Sequence, residues 1–209
     1  MKTKICPIDH LTQAQLLALV QDLQAGAVAV VPTDTVYGLA ASAFNEQAIS
    51  RIYKIKQRPA GVALQILIGS TDQAKQITQW TPQAQHLAQA FWPGGLTMIL
   101  RPNEKGEILR RGFEGLGLRV PAHKGLLRVL QACSGPLACT SANLHEQPVI
   151  TQEEKLKEFF DGKVEWILTG GDLTAAASSV LDITKEPKLL REGALSRQSL
   201  EEVLHTPIK

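Results

Sequence analysis

The sequence has few cysteines, few aromatic residues and no long apolar run, and each shortage excludes a class of protein. Its three cysteines, Cys6, Cys133 and Cys139, form no CxxC pair, which argues against a disulfide framework and a cysteine zinc site. Apolar runs such as AVAVV fall far short of the roughly 18 residues that a membrane span needs. Because no apolar stretch follows the lysines of MKTKICPIDH, we expect a cytoplasmic protein without a secretory signal.

Several nucleotide and metal signatures are also missing. No GxxxxGK[ST] occurs and no GxGxxG follows a strand pattern, which excludes a P-loop and a Rossmann dinucleotide site. The five histidines lack the spacing of metal ligands, so we expect no protein-bound metal. With 22 basic and 20 acidic residues, the net charge of +2 is too small to indicate a nucleic-acid partner by itself.

The 209 residues are 44% hydrophobic, which is enough for one sizeable core, and helix and strand patterns alternate along them. Thr12 and Gln15 have the spacing of a capping box, and Gly26 lies where a helix C-terminal glycine belongs. A second capping box is predicted at Thr151 and Glu154. SSVLDIT and KLLRE flank a turn-like KEP, which predicts an antiparallel pair and therefore a mixed α/β sheet with helices packed on it.

Two polar segments follow predicted elements. PTDTVYGLA comes after the strand AVAVV and offers the side chains of Thr33, Asp34 and Thr35 to a ligand crevice, or forms an ordinary turn. In IYKIKQRPAG the proline disfavours helical geometry at Arg58, so Arg58 and Lys56 can turn to the same space and hold phosphates. The alternative is a solvated basic helix end that complements the helix dipole.

Further candidates lie at strand ends. PLACTSANLHEQP places Ser141 and Asn143 in a turn whose amides can hold an anion, or in a simple Asx or Ser turn. Ser141 is not in a GxSxG elbow, so it is not interpreted as a hydrolase nucleophile. Arg119 in GLRVPAH and Arg191 in LLREGA must stay solvated or find an anion, and Ser178 precedes VLDIT.

The order of these motifs resembles one family from about Gly26 to Leu195. PTDTVYGL, KxR with proline, WPGGLT, RVPAH, TSAN, SSVLD and LREGA follow one another as in the YrdC-like threonylcarbamoyl-AMP synthases. The tetrad that marks this family corresponds to Lys56, Arg58, Ser141 and Asn143.

The resemblance implies a twisted α/β sheet with a concave, basic cavity, in a single YrdC-like domain over residues 1–209 without an additional C-terminal domain. It implies that L-threonine, bicarbonate and ATP are converted into threonylcarbamoyl-AMP and pyrophosphate, with Mg²⁺ held by the phosphates and water. The product would serve the threonylcarbamoyladenosine modification of tRNA through a downstream threonylcarbamoyl transferase complex, with tRNA or double-stranded RNA as a further contact and no membrane partner.

Matching positions give each residue an implied role. Thr35, Arg119 and Ser178 would bind threonine. Arg58, Ser141 and Arg191 would bind ATP, and Lys56 and Asn143 complete the tetrad. Since Lys56 and Arg58 are predicted at a polar helix end, replacing either by alanine is expected to abolish pyrophosphate formation and to leave the fold intact.

The chain departs from the family where relatives often carry polar or hydroxyl side chains. These positions hold Val62, Leu67, Gly115, Cys139 and Val149. The departures leave two alternatives open: a paralogue that adenylates a different carbamate, and a non-catalytic RNA-binding module that keeps the fold.

Overall fold

The computed structural model describes residues 2–59 and 61–209, which form a mixed, twisted sheet flanked by helices. The strands are β1 (Lys4–Pro7), β2 (Val28–Val31), β3 (Gly38–Ser42), β4 (Gln65–Leu67), β5 (Leu96–Leu100), β6 (Leu116–Arg119), β7 (Leu137–Ser141), β8 (Trp166–Thr169), β9 (Ser179–Asp182) and β10 (Lys188–Arg191). The α-helices are α1 (Gln13–Gln24), α2 (Glu46–Lys56), α3 (Thr71–Ile77), α4 (Pro82–Phe91), α5 (Glu107–Arg110), α6 (Lys124–Ala132), α7 (Glu153–Phe160) and α8 (Arg197–Leu204).

The predicted start of α1 is confirmed. Thr12 Oγ1 accepts a hydrogen bond from Gln15 N at 3.2 Å, and Gln15 Oε1 accepts one from Thr12 N at 2.9 Å. Gly26 follows the helix with φ of 103°, a left-handed conformation that favours glycine over residues with a Cβ. Local sequence therefore fixes both ends of this helix.

The second predicted capping box, at Thr151 and Glu154, is wrong. Helix α7 begins at Glu153 after Gln152, which makes no side-chain cap. Asp172 Oδ1, from the loop after β8, accepts the hydrogen bond of Glu153 N at 2.9 Å instead. A distant residue thus satisfies an amide that the sequence pattern assigned to a local partner.

The sheet has the order β1-β8-β2-β3-β7-β4-β6-β5-β9-β10. Strands β9 and β10 pair antiparallel, as the sequence predicts, while β9 pairs parallel with β5. Strand β3, which begins at Gly38 inside the PTDTVYGLA motif, pairs antiparallel with β2 and with β7. That pairing brings the loop after β2 beside the TSAN segment after β7.

Side chains of successive strand residues enter two separate cores, because they point to opposite faces of the sheet. In β2, Val28 and Val30 belong to one core, and Ala29 and Val31 to the other. The first core is covered by α2, α4, α7 and α8, and the second by α1 and α6. Within the described residues, no helix is long and apolar enough to span a membrane.

Candidate functional site

A cavity of about 470 Å³ lies on the α1 and α6 face of the sheet, over the strands that these helices leave uncovered. Strand β5 illustrates the alternation that builds it. Leu96, Met98 and Leu100 are buried in the core of the opposite face, whereas Thr97 and Ile99 line the cavity. The polar and charged lining residues are Thr33, Thr35, Tyr37, Arg58, Gln65, Thr97, Glu114, Arg119, Thr140, Ser141, Ser178, Asp182 and Arg191.

Arg119 is buried in the cavity wall and is held by three partners. It is 2% exposed, and its Nη2 lies 2.6 Å from Asp34 Oδ1. Its Nη1 donates to Thr35 Oγ1 at 2.9 Å and its Nε to the carbonyl of Gly94 at 2.9 Å. Thr35 in turn contacts Thr33 Oγ1 at 2.9 Å. The loop after β2 and strand β6 therefore position one guanidinium, whose charge Asp34 partly balances.

Ser178 and Arg191 also line the cavity and contact each other. Arg191 Nε donates to the Ser178 carbonyl at 2.9 Å, and Arg191 Nη2 donates to Ser178 Oγ at 3.2 Å. Burial, and secondly the neighbouring charge of Arg119, lower the pKa of Arg191. A desolvated arginine beside a second arginine favours a site that receives an anion.

Lys56 lies behind the cavity wall and not in its lining. The alternative of a solvated lysine at a helix end is therefore wrong, and the predicted role of Lys56 in holding phosphates stays a prediction. Lys56 is 2% exposed. Its Nζ donates to Ser141 O at 2.6 Å, and to Asn143 O and Asn143 Oδ1 at 2.8 Å each. Burial, and secondly the charge of Arg58, lower the pKa of Lys56 to about 8. Its three N–H donors fix the shape of the turn after β7 instead of facing solvent.

Arg58 leaves the helix, as expected, but it does not share its space with Lys56. Helix α2 ends at Lys56, and Gln57 adopts a left-handed φ of 52°. Arg58 then reaches the cavity, where Nη1 donates to Thr140 Oγ1 at 2.7 Å and Nη2 to the Ala63 carbonyl at 3.0 Å. Among the described residues, its buried Nε has no hydrogen-bond partner. A buried donor without a partner favours a ligand acceptor at this end of the cavity.

Ser141 and Asn143 occupy different surroundings in the turn after β7. Ser141 lines the cavity, while Asn143 is buried beside Lys56. Ser141 Oγ donates to Asn143 Oδ1 at 2.6 Å, so its hydrogen points away from the cavity. Donation from Ser141 Oγ to a phosphate oxygen would require the hydroxyl to rotate away from Asn143.

Sequence reasoning missed several side chains that the cavity contains. Gln65 and Thr97 belong to strand patterns that looked purely apolar, and Asp182 and Glu114 were not singled out. The period of two in LTMIL could have identified Thr97, because it is the one polar residue of this strand and lies on the face opposite to Leu96 and Met98. The two carboxylates share the cavity with Arg58, Arg119 and Arg191, and its overall basic character stays a prediction.

Of the departures from the family pattern, Gly115, Cys139 and Val149 line the cavity. Leu67 is fully buried in the α1 and α6 core, and Val62 lies outside the cavity lining. Burial raises the pKa of the Cys139 thiol to about 12, so this side chain is neutral at physiological pH. The wall near these residues therefore offers less hydrogen bonding than hydroxyl side chains would.

Side chains that could ligate a metal do not cluster in the described part of the chain. In residues 2–59 and 61–209 no group of three or more His, Cys, Asp or Glu side chains is arranged to hold a metal ion.

Comparisons with known proteins agree with this architecture. The family model Sua5/YciO/YrdC, described as "Telomere recombination", matches residues 21–193. The chain is 37% identical over 186 residues to a threonylcarbamoyl-AMP synthase of Pyrococcus abyssi, a match that covers 87% of this chain and 55% of the relative. A Bacillus subtilis relative of the same name is 34% identical over 196 residues, covering 91% and 56%. The chain thus spans about half the length of these curated relatives.

Solved structures show the same fold. P. abyssi Sua5 in complex with L-threonine superposes with a TM-score of 0.90 at 33% identity, covering 99% of this chain and 62% of that one. E. coli YciO superposes with a TM-score of 0.85 at 25% identity, covering 95% and 99%.

Proposed function

The chain belongs to the Sua5/YciO/YrdC family, and on that basis we propose that it is an L-threonylcarbamoyladenylate synthase. The family that the motif order predicts is thereby confirmed. The proposed reaction joins L-threonine, bicarbonate and ATP into threonylcarbamoyl-AMP and pyrophosphate. It rests on relatives named threonylcarbamoyl-AMP synthase and on a similar structure bound to L-threonine.

One observation carries the proposal: three guanidinium groups line a single cavity. Arg58, Arg119 and Arg191 all line the 470 Å³ space. The reaction brings a carbamate and a triphosphate together, so it must neutralise anions that repel each other. Fixed arginines supply that stabilisation without needing a covalent intermediate.

The proposed division of the cavity follows the contacts of each residue. Arg119 and Thr35, together with Ser178, are assigned to threonine, because their guanidinium and hydroxyl groups suit a carboxylate and its neighbours. Arg58 and Arg191 are assigned to ATP together with Ser141, and the unpartnered Arg58 Nε supports this. Lys56 and Asn143 act as positioning residues, since they shape the Ser141 turn from behind.

The proposed chemistry is adenylation of a carbamate. The threonine amine forms a carbamate either with bicarbonate, with loss of water, or with carbon dioxide, with loss of a proton. A carbamate oxygen then attacks the α-phosphate in line, and pyrophosphate leaves. Holding both reactants in one cavity lowers the entropic cost of their encounter. ATP would enter as its Mg²⁺ complex.

Further parts of the proposal follow from this activity. Residues 1–209 would act as one domain, which the continuous sheet from β1 to β10 supports. The product would be consumed by a threonylcarbamoyl transferase complex that modifies tRNA, which would place the enzyme in the cytoplasm.

A paralogue that adenylates a different carbamate remains a second candidate, since Gly115, Cys139 and Val149 reduce the polar lining of the cavity. The deciding experiment measures pyrophosphate release from MgATP and bicarbonate with L-threonine and with a panel of other amines. Release that depends on threonine and bicarbonate supports the synthase. Equal release with another amine selects the paralogue, and no release from folded protein overturns both.

A further inference from the structure

A chain of polar side chains crosses the floor of the cavity from β4 to β10. Gln65 lies on β4 opposite Cys139 of β7, and its side chain faces the cavity. The Gln65 amide nitrogen donates a hydrogen bond to Thr97 Oγ1 on β5. Thr97 Oγ1 lies 2.9 Å from Ser178 Oγ, which also accepts from Arg191 Nη2 at 3.2 Å. Neither Gln65 nor Thr97 has a role in the assignment above.

The two hydroxyls in the middle of this chain are shielded from bulk solvent. Thr97 is 4% exposed and Ser178 is 3% exposed, yet both line the cavity. A buried hydroxyl hydrogen is costly to leave without an acceptor. Each of the two hydroxyl hydrogens therefore needs an acceptor.

The donors at the two ends decide where the hydrogens go. Arg191 can only donate, and Gln65 presents its amide nitrogen, so both hydroxyl oxygens accept from outside the pair. Thr97 and Ser178 share one hydrogen between them. The other hydroxyl hydrogen has no acceptor in this chain of contacts, and the cavity is the remaining direction for it.

We propose that Gln65 is a specificity-determining residue, which acts through Thr97 to make the Thr97–Ser178 pair present one hydrogen-bond donor to the amino-acid substrate. The class of substrate that fits has an oxygen acceptor there, in a carboxylate, carbamate or hydroxyl group. An ammonium or amide N–H at that point would meet another donor and be rejected. This inference rests on the proposed function, because it assigns the Ser178 end of the cavity to the amino acid.

A carboxylate at position 65 tests the donor-to-acceptor direction of these hydrogen bonds, because a carboxylate can only accept them. In Gln65→Glu, Thr97 would donate to the new carboxylate and Ser178 would donate to Thr97, leaving no hydrogen for the substrate. We expect the KM for L-threonine in pyrophosphate release to rise about tenfold, the effect of one lost hydrogen bond, while the KM for ATP changes less than about twofold. Calorimetric titration with L-threonine should show the same loss of affinity.

Thr97→Val separates this effect from the added negative charge. In the double variant Gln65→Glu/Thr97→Val, valine breaks the series of hydrogen bonds between position 65 and Ser178. The carboxylate at position 65 keeps its charge, and the Ser178 hydrogen is free to reach the substrate. We expect its threonine KM to return to within about threefold of that of Thr97→Val alone. Thr97→Ser, which keeps the hydroxyl, should retain the tenfold response to Gln65→Glu. Thermal unfolding checks that each variant is folded.

An unchanged threonine KM in Gln65→Glu overturns the inference, and so does an equal rise in the double variant, which would leave charge as the cause. If the wild-type protein releases no pyrophosphate, the proposed function fails, and calorimetric binding of L-threonine to the same variants still decides the role of Gln65. Failure of the wild-type protein to bind L-threonine, L-serine or any other amino acid would overturn both.

Discussion

The ammonium of Lys56 donates a 2.6 Å hydrogen bond to the carbonyl of Ser141, so a residue outside the cavity shapes a residue that lines it. Its other two hydrogens bind the carbonyl and side-chain oxygen of Asn143. Three charge-assisted bonds from one buried group hold this turn more firmly than the backbone of a short loop could. The KxR and SxN motifs are thus one structural unit.

Replacement of Lys56 should affect stability as well as activity. Lys56→Met keeps much of the side-chain volume and removes one donor from each of three oxygens of the turn, of which the Asn143 carbonyl oxygen has no other donor among the contacts described. We expect the free energy of unfolding to fall by about 2–4 kcal/mol and pyrophosphate release to be lost. Chemical denaturation measures the first effect. Lys54→Met, on the exposed side of the same helix, should leave both unchanged. Wild-type stability in Lys56→Met would contradict the burial of this group.

The lowered pKa of Lys56 predicts opposite trends of ligand binding and stability with pH. Its folded-state pKa of about 8 lies below its ordinary value of 10.5, so folding favours the neutral amine. The stability difference between wild type and Lys56→Met should therefore increase as pH rises from about 8 towards 10.5. Over the same range the amine has one donor fewer for the Ser141 turn, so ATP affinity should decrease.

Calorimetric titration with MgATP and urea denaturation, both between pH 7 and pH 10, measure the two trends. ATP binding is used because the threonine amine and bicarbonate titrate in this range themselves. Lys54→Met serves as the control and should keep the wild-type profile. Parallel trends in affinity and stability would show that another group controls this pH range.

Threonine binding should be sensitive even to replacement of Arg119 by lysine. Its guanidinium contacts Asp34, Thr35 and Gly94 in three directions, which a lysine ammonium cannot reproduce in the same planar geometry. We expect Arg119→Lys to raise the KM for L-threonine by about 10- to 100-fold, with a much smaller effect on the KM for ATP. Arg128→Lys is the matched control, since Arg128 contacts the carbonyl of Leu11 away from the cavity. Equal effects on both substrates would remove Arg119 from the threonine site.

Local signals in the sequence predicted part of the fold well. The capping box of Thr12 and Gln15, the glycine at 26 and the hairpin of β9 and β10 depend on neighbouring residues, and all are confirmed. The start of α7 failed because its partner, Asp172, is far along the chain. Non-local hydrogen bonds have no spacing that a sequence pattern can reveal.

Part of the cavity lining was predictable from the sequence, but the geometry of the candidate site was not. The order of motifs identified Arg58, Arg119 and Arg191, and these line one cavity. It could not show that Lys56 faces the turn after β7, because that depends on the left-handed Gln57 and on pairing between β3 and β7. The contact of Gln65 could not be predicted from the sequence either, because its partner Thr97 lies on another strand.

Gly115 is a departure at a crowded position, and its replacement tests how this cavity wall is packed. A Cβ at position 115 would lie 2.6 Å from Ile99 Cγ2 and 2.9 Å from Thr184 Cγ2. Gly115→Thr should therefore lower the free energy of unfolding by about 1–3 kcal/mol, as overpacking does. The double variant Gly115→Thr/Ile99→Ala removes the closest contact, so it should be more stable than the sum of the two single changes predicts. Urea denaturation of the four proteins gives this coupling directly. Strict additivity would mean that Ile99 does not limit position 115, and that glycine is needed there for another reason.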